Sequence, residues 1–204
     1  LGEVNPHQLQ IATFHSLCAR ILRREHAAAD LPSNFTICDD RDQVSAVKHV
    51  MKQLGITDKA FKPGDAQDAI NQCKIRMLGP RDMGEVTTSQ HEKMYAEIFT
   101  EYVKYLKANG ALDFEDLILR TVEMFRANPE ALARCQQRFR HVMVDEYQDI
   151  NMSQFELVYL LAGGHRNLAV VGDEDQSIYS WRGADISNLL DFQKHFPEAR
   201  VVRL

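Results

Sequence analysis

Two short apolar runs, each ending in a cluster of acids, constrain this chain more than any other feature. His141-Val142-Met143-Val144 runs into Asp145-Glu146, and Leu168-Ala169-Val170-Val171 runs into Gly172-Asp173-Glu174-Asp175. Val201 and Val202 open a third run. Between these runs lie helical patterns at Ser153 to Leu161 and Ile186 to His195. Buried strands alternating with helices predict a parallel sheet covered on both faces. Ligands of such sheets bind beyond the carboxyl ends of the strands, where both acidic clusters fall.

The upstream part has a different texture. Phe14, Leu17, Cys18, Ile21 and Leu22 fall on one helical face between Thr13 and His26, with Thr13 as N-cap and Leu9 to Ala12 as a short strand entering it. Asp39 to Leu54, Ala66 to Met77 and Ser89 to Ala108 read as helices. Lys62-Pro63-Gly64 and Gly79-Pro80 break the chain, and Asn109-Gly110 closes the last helix. No strand is evident from Ala29 to Leu112, which predicts a small all-helical unit. Asp113 caps a further helix with Asp116 three residues on, as in a capping box. After Asn128-Pro129 another helix leads to Phe139.

Composition limits the function classes. The 204 residues are 45% hydrophobic, enough to bury a core in one or two domains. No apolar run approaches a membrane span, and Leu1 to Asp30 lacks the pattern of a signal peptide, so a cytoplasmic protein is expected. Cys18, Cys38, Cys73 and Cys135 are too widely spaced for a metal site or a disulfide framework, and the eight histidines lack ligand spacing. Isolated thiols in a reducing cytosol fit best, and no zinc is expected. The net charge of −5 does not favour a nucleic-acid binder, though it leaves room for a narrow groove with local positive charge.

Three constellations carry chemistry. A strand ending in Asp145-Glu146 has the shape of a site for Mg²⁺ and phosphate: one rigid carboxylate holds the hard cation and its neighbour deprotonates a water. The rival reading is a solvated acidic turn. In the segment from Val170 to Ala184, Gln176 can sense a phosphate. Tyr179, Trp181 and Arg182 offer flat surfaces and a cation for unpaired bases, or else the two aromatics belong to a core. In the third, Thr13, His15 and Ser16 at a helix start, with Arg20 and Arg23, suit a phosphate or a plain helix cap.

Taken in order, TFHSLCARILRRE, ALDFEDLI, VMVDEYQDINMSQFELV and VVGDEDQSIYSWRGADI resemble successive motifs of the UvrD/Rep/PcrA DNA helicases of superfamily 1. The last two are long and specific. The resemblance spans nearly the whole chain, least clearly from Pro32 to Asn109. It implies an α/β fold: a partial RecA-like parallel sheet of the P-loop NTPase type with an inserted all-helical subdomain. Residues 1–28 and 113–204 would form two segments of the first motor domain, with 29–112 as the helical accessory unit.

The resemblance also implies roles. Asp145 would hold Mg²⁺ with ATP, Glu146 would be the general base, and Gln176 would couple the γ-phosphate to the DNA groove. Tyr179, Trp181 and Arg182 would contact single-stranded DNA, as would Thr13 and His15, joined by Asp113 and Phe114. The implied activity is ATP-driven 3′-to-5′ translocation on single strands and unwinding at duplex junctions, with repair or replication proteins as partners and no membrane. No Gly-x-x-x-x-Gly-Lys-[Ser/Thr] string occurs, so this chain is expected to be an excised piece, inactive as an ATPase by itself. Two rival readings remain: a non-catalytic module that docks DNA or a partner, and the motor half of a helicase-nuclease.

Overall fold

The computed structural model describes residues 9–57, 61–85, 90–176 and 187–203. Helix α1 (Phe14–Arg24) starts at Thr13, whose hydroxyl accepts the Ser16 N–H. Strand β1 (Thr36–Ile37) leads to α2 (Asp40–Gln53), closed at its start by a capping box of Asp39 and Asp42. Helices α3 (Pro63–Ile75), α4 (Pro80–Glu85) and α5 (Gln90–Ala108) follow. Pro63 and Pro80 were expected only as breaks, yet each is the first residue of a helix. That position has no N–H to lose and suits proline's fixed φ.

Strand β2 (Ala111–Leu112) pairs in parallel with β1 and precedes α6 (Phe114–Ala127) and α7 (Pro129–Arg138). Strand β3 (Val142–Val144), α8 (Met152–Gly163), β4 (Leu168–Val170), α9 (Ser187–Leu190) and α10 (Phe192–His195) complete the described elements. Strands β3 and β4 are parallel, with Val142 opposite Leu168 and Val144 opposite Val170. Among the described residues the fold is therefore helical with two small parallel sheets.

Several expectations need correction. Leu9 to Ala12 forms no strand; Leu9 and Ile11 are exposed and find no sheet partner. Val201 and Val202 are likewise exposed and outside any strand. The two-residue strands β1 and β2 were missed because so short a pairing has no periodicity to read. Among the described residues the sheet of β3 and β4 is covered on one face only: Met143 is 77% exposed, while Val144 packs inward with Tyr147, Phe155 and Val158.

Two larger cores sit beside that layer. One joins α1, α6, α7 and α8 through Cys18, Leu22, Leu117, Phe125, Cys135 and Leu157. The other joins α2, α3 and α5 through Val47, Met51, Ile70, Phe99 and Tyr102. Between Asp40 and Ala108 the described elements are helices only.

A buried ion cluster ties the two cores. Lys74 on α3, 1% exposed, donates to Asp113 Oδ2 and Asp116 Oδ1 at 2.6 Å each. The Tyr102 hydroxyl also donates to Asp113, at 2.8 Å, and the Gln43 amide does so at 3.3 Å. Asp113 and Asp116 meanwhile close the capping box at the start of α6. Burial by itself would lower the Lys74 pKa, but the carboxylates of Asp116 and Asp113 outweigh it and hold the ammonium above the ordinary lysine value. Removing one partner of a buried pair leaves the others uncompensated and costs ~3–5 kcal/mol. Lys74→Met should destabilise the 204-residue chain by that amount in urea unfolding. A loss under ~1 kcal/mol would show that α3 is held to α6 by apolar packing instead.

Candidate functional site

The turn after β3 is tightly held. Val171 donates its N–H to the Val144 carbonyl, and Tyr147 donates its own to the Val171 carbonyl, both at 2.9 Å. These two bonds pin the exposed pair Asp145 and Glu146 between them. Tyr147 is fully buried and meets the Phe192 ring edge-on, at 5.5 Å between centroids. Glu146 sits in left-handed backbone, φ 50° and ψ 44°. Such a conformation in a residue other than glycine costs on the order of 1–3 kcal/mol, and it persists only where its surroundings impose it.

Glu146's surroundings are polar and specific. Its N–H donates to Asp145 Oδ1 at 3.0 Å, and its carbonyl accepts the Asp149 N–H at 2.9 Å in a 3₁₀ turn. Its Oε2 accepts the Gln148 side-chain amide at 2.7 Å. Gln148 is 1% exposed, and its Oε1 accepts the Asp173 N–H at 3.1 Å. Asp173 Oδ2 in turn accepts the Gln176 amide at 2.6 Å. A run of hydrogen bonds through the Gln148 side chain and the Asp173 backbone N–H therefore links the acidic turn after β3 to the turn after β4.

Gly172 permits that approach. A Cβ there would lie 2.9 Å from Gln148 Oε1 and 3.3 Å from its backbone nitrogen. Gln148 was not singled out from sequence, although it lies inside a quoted motif. Nothing in its local pattern distinguishes a buried linking amide from a surface glutamine.

The donor set suits a cation shared with a phosphate. Mg²⁺ is commonly held by one or two carboxylates, the remaining positions going to water and phosphate oxygens. Asp145 and Glu146 each have one carboxylate oxygen with no hydrogen-bond partner among the described residues. Among the described residues, no group of three or more His, Cys, Asp or Glu is arranged to enclose a metal there. The turn thus fits a cation bound with its ligand and not a closed structural metal cage.

The residues expected to touch DNA fare unequally. Thr13 is exposed, with its hydroxyl engaged in capping α1. His15 packs edge-on against Phe114 at 5.7 Å, and Phe114 is 45% exposed. These two rings share one surface. Asp113 needs correction as a contact: it is 1% exposed, and its carboxylate is taken up by Lys74, Tyr102 and its own helix start. It positions Phe114 and does not face solvent. Arg23 lies over the Phe35 ring at 3.7 Å and donates to the Ser33 carbonyl, which removes it from a phosphate track. Tyr179, Trp181 and Arg182 lie outside the described residues.

His15 opens onto a cleft of about 1010 Å³, lined among others by Gln67, Asn71, Glu115, Asp149 and Gln154. No Lys or Arg lines it among the described residues. Its walls offer amide and carboxyl hydrogen bonds and no counter-charge for phosphate. Burial lowers the His15 pKa, favouring the neutral ring, and its Nε2 is buried with no partner among the described residues.

Glu115 is pushed up to about 7, first by burial and then by Asp113. The folded state therefore keeps a proton on Glu115 between the ordinary 4.5 and about 7, where the unfolded chain has released it. This contribution to stability is present at low pH and lost as pH rises through about 7. Glu115→Gln should raise the stability of the chain relative to wild type by about 1–3 kcal/mol more at pH 8 than at pH 5. Parallel urea curves with no pH-dependent difference would contradict this.

The two joined acidic turns lie at the carboxyl ends of parallel strands, the edge where ligands of open α/β sheets bind. Residues 2–197 match the UvrD/REP helicase N-terminal domain, and the chain belongs to that family. It is 46% identical over 194 residues to the ATP-dependent DNA helicase PcrA of Staphylococcus aureus (strain Mu50 / ATCC 700699). It is 45% identical over the same length to the PcrA of Staphylococcus epidermidis (strain ATCC 12228 / FDA PCI 1200). Each alignment takes in 95% of this chain and 27% of the relative, so the chain spans about a quarter of the proteins it matches. Membership in this family carries a RecA-like fold.

Proposed function

We propose that this chain is part of an ATP-dependent DNA helicase, a motor that moves 3′-to-5′ along single-stranded DNA and opens duplex junctions. The observation that carries the reading is the joined pair of turns: Asp145 and Glu146 on one strand end, Asp173 and Gln176 on the next, linked through Gln148. The relatives from Staphylococcus aureus and Staphylococcus epidermidis carry the name ATP-dependent DNA helicase PcrA.

In this reading Asp145 holds Mg²⁺ together with the nucleotide phosphates. When bound, that cation supplies positive charge against which phosphoryl transfer proceeds. Glu146 orients the attacking water and accepts its proton. Gln176 would couple the γ-phosphate to the DNA groove, through the segment carrying Tyr179, Trp181 and Arg182. Those three residues, with Thr13, His15 and Phe114, hold the single strand, and Trp181 stacks on a base. Residues 29–112 act as an accessory unit inserted into a motor domain formed by 1–28 and 113–204. Support comes from the separate core of α2, α3 and α5, and from β1 and β2, which set the two ends of the segment side by side. Protein partners belong to repair or replication, and the protein works in the cytoplasm. No helix among the described residues is long and apolar enough to cross a membrane.

In the full-length protein, Glu146→Gln should leave Mg-ATP binding nearly intact and lower hydrolysis at least ~100-fold, the low end for loss of a general base. Equilibrium nucleotide binding and steady-state turnover measure the two separately, and unchanged turnover would remove Glu146 from this role. Trp181→Ala should weaken single-strand binding or translocation by roughly 5- to 150-fold, the equivalent of ~1–3 kcal/mol for one stacked base. Titration with oligothymidine tests it, and wild-type affinity together with wild-type translocation would rule out a stacking role.

A further inference from the structure

We infer that Gln148 is a positioning residue for the proposed reaction, holding the Glu146 carboxylate on one side and the loop of Asp173 and Gln176 on the other. The inference rests on the reading of Glu146 as general base. Four observations carry it. Gln148 is 1% exposed, so its amide cannot exchange its bonds for water. Its nitrogen donates to Glu146 Oε2 at 2.7 Å and its oxygen accepts the Asp173 N–H at 3.1 Å. Glu146 stands in left-handed backbone, which an isolated turn would abandon. Gly172 leaves the space that a side chain would take from Gln148 Oε1.

The two partners also fix which way the amide faces. A carboxylate accepts only, so it requires the NH₂ side; a backbone N–H donates only, so it requires the oxygen. Glutamine is the side chain of this length that satisfies both at once. Glutamate keeps the acceptor for Asp173 but sets a second carboxylate against Glu146. Methionine keeps the approximate volume and loses both bonds. The pair of variants therefore separates the two halves of the link.

The test uses the full-length protein with Gln148→Met and Gln148→Glu. Hydrogen exchange without nucleotide should show the Asp173 amide exchanging faster in Gln148→Met and at the wild-type rate in Gln148→Glu. DNA-stimulated hydrolysis should show kcat falling ~10- to 100-fold in both variants, the scale of a misplaced catalytic group, with KM for ATP changing less than ~3-fold. Mg-ATP affinity, measured at equilibrium, should likewise stay within ~3-fold. Turnover within twofold of wild type in Gln148→Glu, or a KM that rises in step with the fall in kcat, would overturn the assignment. Glu146→Gln run alongside separates the two claims. If it abolishes hydrolysis while the Gln148 variants do not, the base stands and the positioning role fails. If Glu146→Gln leaves hydrolysis unchanged, the underlying reading fails whatever Gln148 does.

Discussion

A single ammonium group, that of Lys74, sits buried between two carboxylates, and the arrangement of helices depends on it. Lys74 belongs to α3, in the core shared with α2 and α5. Its partners Asp113 and Asp116 start α6, in the core shared with α1, α7 and α8. A buried charge is tolerated only when paired and hydrogen-bonded. Here Tyr102 and Gln43 supply the extra donors. The cluster does two things at once. It closes the N-terminus of α6, and it joins the core of α2, α3 and α5 to the core of α1, α6, α7 and α8. Phe114, the next residue on α6, is thereby set beside His15 at the rim of the cleft.

The acidic turn depends on a different device. Parallel pairing of β3 with β4 sets Val144 opposite Val170 and carries two further backbone bonds past the strand ends. Those bonds and the buried Tyr147 hold Glu146 in a backbone conformation it would not adopt alone. Strain of this kind is kept where its surroundings over-determine it. The result is a pair of exposed carboxylates on a rigid base, with Gln148 as the link beneath them. Rigid carboxylates on a strand end are what a metal–phosphate site requires, because the barrier to phosphoryl transfer responds to position and charge more than to covalent help.

Local signals were readable wherever the chemistry is local. Thr13 and Asp113 cap helices as read, because a short side-chain oxygen reaches backbone N–H groups two or three residues on without help from the rest of the chain; Asp39 and Asn128, not singled out from sequence, do the same. The strands ending at Val144 and Val170 were readable from their apolar runs. Pro63 and Pro80 were misread as breaks, since proline disrupts a helix interior and favours a helix start, and only the surrounding structure decides which applies. Asp113 shows the same limit at the site. Its capping role was legible, but its removal from solvent by Lys74, 39 residues away in the chain, was not.

The sequence by itself determined the helix starts at Thr13 and Asp113, the two acidic strand ends and, through four motifs in order, the family. Each of these is written in neighbouring residues. Tertiary structure alone decided that Lys74 would be buried between Asp113 and Asp116, and that Gly172 would come close enough for Gln148 to bridge Glu146 and Asp173. Those contacts join residues as much as 42 positions apart. Their energies depend on exclusion of water, which no local pattern of side chains records.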